Sequence, residues 1–142
     1  MYPELMVIPM REEMVRAGFT EARTAAEVDA ALALPGTTLV VVNSICGCAA
    51  GKMRPGVRRA LTSTPNQPDR KITVFAGQDF EATERARSYF DGQPPSSPAA
   101  AILRDGKLVY LMQRSVIELN SPEQIATELI RAFDEFCANA PA

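Results

Sequence analysis

Two cysteines separated by one glycine, Cys46-Gly47-Cys48, carry the clearest chemical signal in this sequence. They follow an apolar run over residues 39–42 and precede a predicted helix that begins at about Ala49. The first turn of a helix has unpaired N–H groups and a partial positive charge, and both favour a thiolate over a thiol. Because only the thiolate attacks a disulfide, this placement predicts thiol–disulfide exchange.

The spacing of the two cysteines adds a second expectation. Helical residues two positions apart do not share a face, whereas residues three apart do. A disulfide needs converging Cβ vectors, so we expect a bond between Cys46 and Cys48 to be strained and therefore oxidising. Gly47 is the residue best able to adopt the backbone angles that closure would need. Two other interpretations stay open here: small buried residues at a strand end, or half of a metal site.

The composition excludes several kinds of active site. The chain has 142 residues and contains no histidine, which excludes His-ligated zinc, Ser-His-Asp triads and Cys-His pairs built from this chain alone. A nucleophile must therefore be activated by helix position or by a basic side chain. Lys52 and Arg54 follow the cysteine pair and are candidates for that activation, or for contact with an anionic small thiol.

The charge and the N-terminus bear on partners and location. The formal net charge of −2 gives no reason to expect nucleic-acid or membrane binding. Residues 1–14 do not resemble a signal peptide, and we expect a cytoplasmic protein. In a reducing compartment, closely spaced cysteines indicate redox or metal function more often than structural disulfides. With three cysteines, at least one stays unpaired in a monomer; Cys137, next to Phe136 on the last predicted helix, is the remaining one.

The predicted elements alternate between strands and helices after an additional N-terminal helix. We expect a flexible arm over residues 1–8, and capping boxes at Thr24 and Ser121 that begin two helices. Pro55 is expected to kink the helix that follows the cysteines. The predicted helices cover approximately 10–17, 24–34, 49–62, 80–90 and 121–136, and the predicted strands 19–23, 37–43, 71–76, 99–104 and 107–113.

This order predicts an α/β fold formed by one domain over residues 1–142. Two strand–helix–strand units give parallel pairing, and the turn at Asp105-Gly106 adds an antiparallel hairpin. The result is a mixed central sheet with helices on both faces and an extra N-terminal helix. Because Cys46 comes at the end of the second strand, the thioredoxin fold is the expected one.

Several segments together resemble the bacilliredoxin family, a group of bacterial thioredoxin-fold proteins with a Cys-Gly-Cys site. The similarity extends from about Pro9 to Cys137, and its most specific part is Asn-Ser-Ile-Cys-Gly-Cys-Ala-Ala-Gly. The segments that carry it are 40–51, 54–55, 74–79 and 96–98.

The resemblance implies a thiol–disulfide oxidoreductase with isomerase capacity. Some family members remove bacillithiol from mixed disulfides on cytosolic proteins. By the family pattern Cys46 is the attacking thiol and Cys48 resolves the intermediate. Pro98 matches a cis-proline that faces the active-site cysteines, and Ser97 beside it is expected to offer its backbone to an extended substrate. We group Ser97, Pro98 and Gly47 as substrate-binding residues and expect neither a metal nor a cofactor.

The residues leave two functions of other classes open. The first is a metal-binding protein, because the Cys-x-Cys spacing suits Cu(I), which prefers thiolate ligands. The second is a redox-sensing module that does not turn over a substrate. For the enzyme, the expected partners are client proteins with mixed disulfides and a low-molecular-weight thiol, in a monomer or homodimer. The sequence names neither the small thiol, the clients, the reductant nor the direction of electron flow.

Overall fold

A computed structural model of the chain describes residues 1–138, so residues 139–142 of the predicted domain lie outside the described residues. One five-stranded sheet has helices on both of its faces. The elements in chain order are α1 (Glu4–Arg16), β1 (Thr20–Glu21), α2 (Ala25–Leu32), β2 (Thr37–Asn43), a π-helical segment (Ala49–Met53), α3 (Arg54–Leu61), β3 (Arg70–Phe75), α4 (Phe80–Ser88), β4 (Ala99–Arg104), β5 (Lys107–Met112), α5 (Arg114–Glu118) and α6 (Pro122–Phe136).

The sheet is mixed, as the order of elements predicts. Its strand order is β1-β3-β2-β4-β5, with β2 in the centre. β3 pairs in parallel with both β1 and β2, whereas β4 pairs antiparallel with β2 and β5. Asp105 and Gly106 both have positive φ, 52° and 77°, as a type I′ hairpin turn requires. The predicted parallel units and the predicted hairpin are therefore both confirmed.

The central strand β2 is buried along its whole length because helices cover both sides of the sheet. Leu39 and Val41 pack in the hydrophobic cluster that includes α3 and α6, while Val40 and Val42 pack in the cluster that includes α2 and α4. This alternation follows the two-residue period of a strand. A strand buried on both faces needs apolar residues at every position, which explains the continuous run in the sequence.

The N-terminus differs from the prediction. The flexible arm proposed for residues 1–8 is wrong for residues 4–8, because α1 begins at Glu4 and Pro9 lies inside the helix. Val7, Arg11 and Met14 are buried on one face of α1, at the spacing expected for a helix. The backbone N–H of Tyr2, ahead of the helix, donates to Oε1 of Gln78 at 2.9 Å.

Arg11 lies on the buried face of α1 because carboxylates surround its guanidinium. Its nitrogens pair with Glu4 at 2.8 Å, Glu21 at 3.1 Å and Asp79 at 2.7 Å. Asp79 therefore occupies the position before α4 without capping that helix with its side chain. A buried charge is tolerated only when it is paired, and here the pairing fastens α1 to β1 and to the start of α4.

The helix after the cysteine pair departs from a regular α-helix before Pro55 rather than at it. Residues Ala49–Met53 are π-helical, and the N–H of Arg54 donates to the carbonyl of Ala49, five residues earlier. Pro55 then lies in the first turn of α3, a position where proline is tolerated. Isolated π turns of this kind are frequent at functional sites.

Gly56 allows α3 to pack closely against α6. A Cβ atom at this position would lie 2.6 Å from Cγ2 of Ile125 and 3.2 Å from the carbonyl oxygen of Pro122. Real Cβ atoms do not approach their neighbours to 2.6 Å, so the close packing depends on the missing side chain. The helix that follows the cysteines is thus held against a second, longer helix.

Candidate active site

Cys46 lies where the chain leaves the carboxyl end of β2 and enters a helical turn. The strand ends at Asn43, and Gly47 and Cys48 already have helical backbone. The N–H groups of Ala49 and Ala50 both donate to the Cys46 carbonyl, at 2.9 and 3.1 Å. The predicted strand–helix junction is therefore confirmed, and the thiol lies at the amino end of the helical turn.

The two thiols are not equivalent. The backbone N–H of Cys48 donates to Sγ of Cys46 at 3.3 Å, and this contact is the largest cause of a lowered Cys46 pKa. A side-chain hydrogen bond from Cys48, the charge of Arg114 and the N–H of Ala49 lower that pKa further, against partial burial. Burial raises the pKa of Cys48, as do its hydrogen bond with Cys46 and the charge on that residue. Cys46 is therefore the favoured thiolate and Cys48 the favoured thiol.

This asymmetry predicts the order in which alkylating reagents modify the protein. We expect iodoacetamide to react with Cys46 with a pH midpoint below about 8.5, the value of a free thiol, and with Cys48 at a midpoint above it. The measurement is mass spectrometry of quenched samples across the pH range. Cys48→Ser and Cys46→Ser separate the two titrations, and the first keeps the backbone N–H that contacts Cys46. Midpoints in the reverse order would contradict the assignment.

The segment before Cys46 is held by hydrogen bonds from side chains to backbone. Ser44 Oγ accepts the N–H of Cys46 at 2.9 Å, and Asn43 Oδ1 accepts the N–H of Ser44 at 2.9 Å. Asn43 Nδ2 in turn donates to the carbonyl of Met10 in α1 at 3.1 Å. Asn43 and Ser44 are both buried, so these bonds compete little with water.

Arg54 belongs to this support rather than to the thiol. Its side chain is buried, with 4% exposed, and its Nη1 donates to Asn43 Oδ1 at 2.9 Å and to the Ser44 carbonyl at 3.0 Å. Its Nε donates to Glu13 at 2.7 Å. Lys52 donates to the Glu118 carbonyl at 2.5 Å and so connects the π-helical segment to α5. The expectation that these two residues contact the thiol or its substrate is not supported by their contacts.

A groove with a volume of about 650 Å³ opens beside Cys46. Cys46 and Ser97 both line it, together with two arginines, Arg87 and Arg114. The other lining residues are Tyr2, Ser44, Ile45, Ala76, Gly77, Phe80, Thr83, Glu84 and Pro95. A separate cavity of about 460 Å³ beside α5 and α6 has no cysteine among its described lining residues. The groove is therefore the cavity associated with the reactive sulfur.

The other residues predicted for the site have different surroundings. The peptide bond between Ser97 and Pro98 is cis, as the family resemblance implies, and Pro98 is buried. Gly47 is exposed, has no positive φ, and has open space around it. Cys48 is half-buried against the cluster that includes α3 and α6. Of the five predicted site residues, only Cys46 and Ser97 are among the described residues that line the groove.

Cys137 lies at the other end of the sheet. It follows α6, is 2% exposed, and its pKa is raised by burial, with an opposing hydrogen bond from Thr37. Thr37 begins β2, whereas Cys46 follows the end of that strand, about 20 Å away at 3.3 Å per residue. Cys137 therefore cannot resolve a disulfide on Cys46 within the same chain.

Thr83, Arg87 and Arg114 are among the groove residues that the sequence does not single out. Arg87 and Arg114 look like ordinary surface residues in the sequence, and Arg114 belongs to α5, a helix of five residues that was not predicted. Their proximity to Cys46 depends on how α4 and α5 pack at the carboxyl end of the sheet. No local pattern of residue types carries that information.

Two further properties concern metals and membranes. Within residues 1–138, no group of three or more cysteine, aspartate or glutamate side chains is arranged to hold a metal ion. None of the helices in this part of the chain combines the length and the apolar character needed to cross a bilayer.

Thioredoxins are among the solved structures with the same architecture. The oxidised thioredoxin of Plasmodium falciparum aligns with a TM-score of 0.59 over 84% of this chain and 99% of its own, at 14% identity. Mitochondrial thioredoxin 3 of Saccharomyces cerevisiae aligns with a TM-score of 0.56 over 83% and 95%, at 13% identity. At this identity the similarity shows the fold alone, and that fold is the predicted thioredoxin fold.

Sequence relatives identify the family. A family model described as "Disulphide isomerase" matches residues 2–137. A bacilliredoxin of Koribacter versatilis (strain Ellin345) is 59% identical over 138 residues, 96% of this chain and 94% of the relative. Bacilliredoxins of Salinibacter ruber and Geobacillus kaustophilus are 51% and 47% identical, over 97% and 96% of this chain and 82% and 94% of their own. The chain therefore belongs to the bacilliredoxin family, thiol–disulfide oxidoreductases with a thioredoxin fold.

Proposed function

We propose that this oxidoreductase removes a low-molecular-weight thiol from mixed disulfides on cytosolic client proteins. The Cys46 thiolate attacks the small-thiol sulfur of the client disulfide. The bond between Cys46 and the small thiol forms as the client disulfide breaks, and the client cysteine leaves as a thiolate. The electron pair of the attacking sulfur is thus passed to the client, and the small thiol is now carried by Cys46.

A second thiol then discharges Cys46. Cys48 attacks Sγ of Cys46, giving the Cys46–Cys48 disulfide and the free small thiol, or a second small thiol attacks the carried sulfur, giving a symmetric small disulfide and free Cys46. The strain expected for a disulfide between residues two apart in a helical turn favours the second route. An external thiol reductant is required in either case.

The observation that carries the proposal is the unequal environment of the two thiols beside one groove. The N–H of Cys48 stabilises a thiolate on Cys46, and the groove of about 650 Å³ next to that sulfur has the size of a small-molecule site. Burial raises the pKa of Cys48 and so favours its thiol form. These features support Cys46 as the attacking thiol, with Ser97 in the lining of the same groove, and Cys48 is the resolving thiol of the first route of discharge.

Trapping tests the proposal directly. A client protein carrying a small-thiol mixed disulfide is mixed with the Cys48→Ser variant, and intact mass spectrometry follows both proteins. We expect the mass of one small thiol to appear on Cys46 as it disappears from the client. The Cys46→Ser variant is the control and should gain no such mass. An adduct that forms on Cys48 in the control, but not on Cys46 in the test variant, would reverse the assigned roles.

A further inference from the structure

The side chain of Asn43 joins three parts of the chain behind the reactive cysteine. It lies at the last position of β2 and is 1% exposed. Its Oδ1 accepts two hydrogen bonds, from the N–H of Ser44 and from Nη1 of Arg54, both at 2.9 Å. Its Nδ2 donates to the carbonyl of Met10 in α1 at 3.1 Å. Both acceptor positions of the amide oxygen are therefore occupied.

These partners allow only one orientation of the Asn43 amide. Turning it over would place its NH₂ group against two donors and its oxygen against the carbonyl oxygen of Met10. A buried polar group whose bonds are all made holds one arrangement strictly, because water does not compete for its partners. Asn43 therefore fixes the distance and direction between α1, α3 and the chain that leaves β2.

The part of α1 that Asn43 contacts is itself held firmly. Met10 is followed by Arg11, which pairs with Asp79 at 2.7 Å. The Arg11 guanidinium also lies over the ring of Phe75, 5.2 Å from its centre. Phe75 is the residue of β3 that pairs with Asn43 in the sheet. The Met10 carbonyl is thus a fixed acceptor for Asn43.

Two hydrogen bonds lead from Asn43 to the reactive residue. The first holds the N–H of Ser44 on Asn43, and the second runs from the N–H of Cys46 to Oγ of Ser44 at 2.9 Å. The Ser44 carbonyl also accepts Nη1 of Arg54 at 3.0 Å, so this residue is held on both sides. The N–H of Cys48 contacts Sγ of Cys46 at 3.3 Å, and such contacts weaken steeply when their angle changes. The position of the Cys46 backbone therefore decides how well this N–H stabilises the thiolate.

We propose that Asn43 is a positioning residue that acts on Cys46 through Ser44. It ties the backbone before the thiol to α1 and α3, and so keeps Sγ of Cys46 in contact with the N–H of Cys48. Asn43 is not among the described residues that line the groove, so it acts through the backbone and not on the substrate. The inference concerns the attacking sulfur and does not depend on which disulfide that sulfur attacks.

The test measures two properties of Asn43→Ala in the Cys48→Ser background: the pH midpoint of Cys46 alkylation and the free energy of unfolding. We expect the midpoint to rise by about 0.5 to 1 pH unit, because the thiolate loses part of its hydrogen bond to the N–H of residue 48. The charge of Arg114, which also acts on Cys46, is unchanged in this variant.

Thr37→Val is the matched control at the other end of the same strand. Thr37 is 3% exposed, and its hydroxyl accepts the N–H of Asp69 at 3.0 Å, so the substitution also removes a buried hydrogen bond that joins two segments. We expect this variant to lose stability without any change in the alkylation midpoint of Cys46.

The outcomes separate positioning from stability. Reduced stability of Asn43→Ala with the midpoint of its parent would make the residue purely structural and refute the inference, as would an equal rise of the midpoint in Thr37→Val. Ser44→Ala removes only the bond to the N–H of Cys46 and should raise the midpoint by a smaller amount. If Asn43→Ala does not fold, this variant decides: a raised midpoint supports the inference, and the midpoint of the parent refutes it.

Discussion

Replacing Cys46 by serine is expected to lower the rate of small-thiol removal from a client by about a thousandfold or more, to the uncatalysed level. A serine hydroxyl is not ionised at neutral pH, and this chain has no histidine to take its proton. The surrounding N–H groups stabilise a thiolate that the variant can no longer form. The rate is measured by mass spectrometry of an S-thiolated client under multiple turnover.

Two matched variants give this prediction its control. Cys48→Ser should retain turnover when a small thiol is added to discharge Cys46, because the first step does not use the second cysteine. Cys137→Ser should behave as the parent, since its thiol is buried at the other end of β2. Full activity of Cys46→Ser would end the proposed mechanism. Loss of activity in Cys137→Ser at unchanged stability would show that the far thiol takes part.

The second large effect is expected at Arg54. Replacing it by glutamine should lower the free energy of unfolding by about 3 kcal/mol, because it leaves Glu13 without its buried partner and removes two hydrogen bonds to Asn43 and Ser44. Urea denaturation of the two proteins gives the difference. Removing these two hydrogen bonds should also slow alkylation of Cys46, because they fix the segment that positions the thiol.

Arg58 provides the matched control for this substitution. It contacts the same Glu13 at 3.5 Å from the next turn of α3, but its side chain is 50% exposed. Exposed ion pairs contribute about 1 kcal/mol or less, so Arg58→Gln should change stability little. Equal losses of unfolding free energy in the two variants would mean that Arg54 stabilises the fold mainly through its ion pair with Glu13 and not through its buried hydrogen bonds. Unchanged stability in Arg54→Gln would remove the argument for Arg54 as a positioning residue.

Local sequence signals were enough to predict most of the fold. The apolar run of β2 indicates a strand buried on both sides, and the hairpin follows from Asp105 and Gly106, which both have positive φ. The capping box at Ser121 is confirmed, because Ser121 Oγ accepts the N–H of Gln124 and Gln124 Oε1 accepts the N–H of Ser121. At Thr24 the N-cap is confirmed, since its side chain accepts the N–H of Glu27, but Glu27 Oε1 accepts the N–H of Arg23 in place of the reciprocal bond. Each of these signals depends on residues within a few positions of one another, so it can be read without knowing the tertiary structure.

Features that depend on distant residues could not be predicted in the same way. Arg11 interrupts the apolar stripe of α1 in the sequence, and it is buried only because Asp79 and two other carboxylates meet it in the folded chain. The start of α1 is predicted too late for a different reason: proline is typical of the first helical turn, so Pro9 indicates a start near residue 10, whereas the helix begins at Glu4. For Arg54 the sequence leaves two alternatives, a solvated charge on the helix surface or a contact with the thiol or its substrate, and neither is the buried position that its contacts with Glu13 and Asn43 on other elements create.

The π-helical turn between the cysteines and α3 has a consequence for protein engineering. Its hydrogen bond from Arg54 to Ala49 encloses one residue more than an α-helical bond does. Deleting a single residue there would convert this bond into an ordinary α-helical one. Because the wider turn takes up its additional residue within about one revolution, the face of α3 that packs on α6 would keep its direction relative to the thiol-bearing turn. Chimeras with thioredoxins should therefore tolerate a difference of one residue in this turn without a change in how α3 packs.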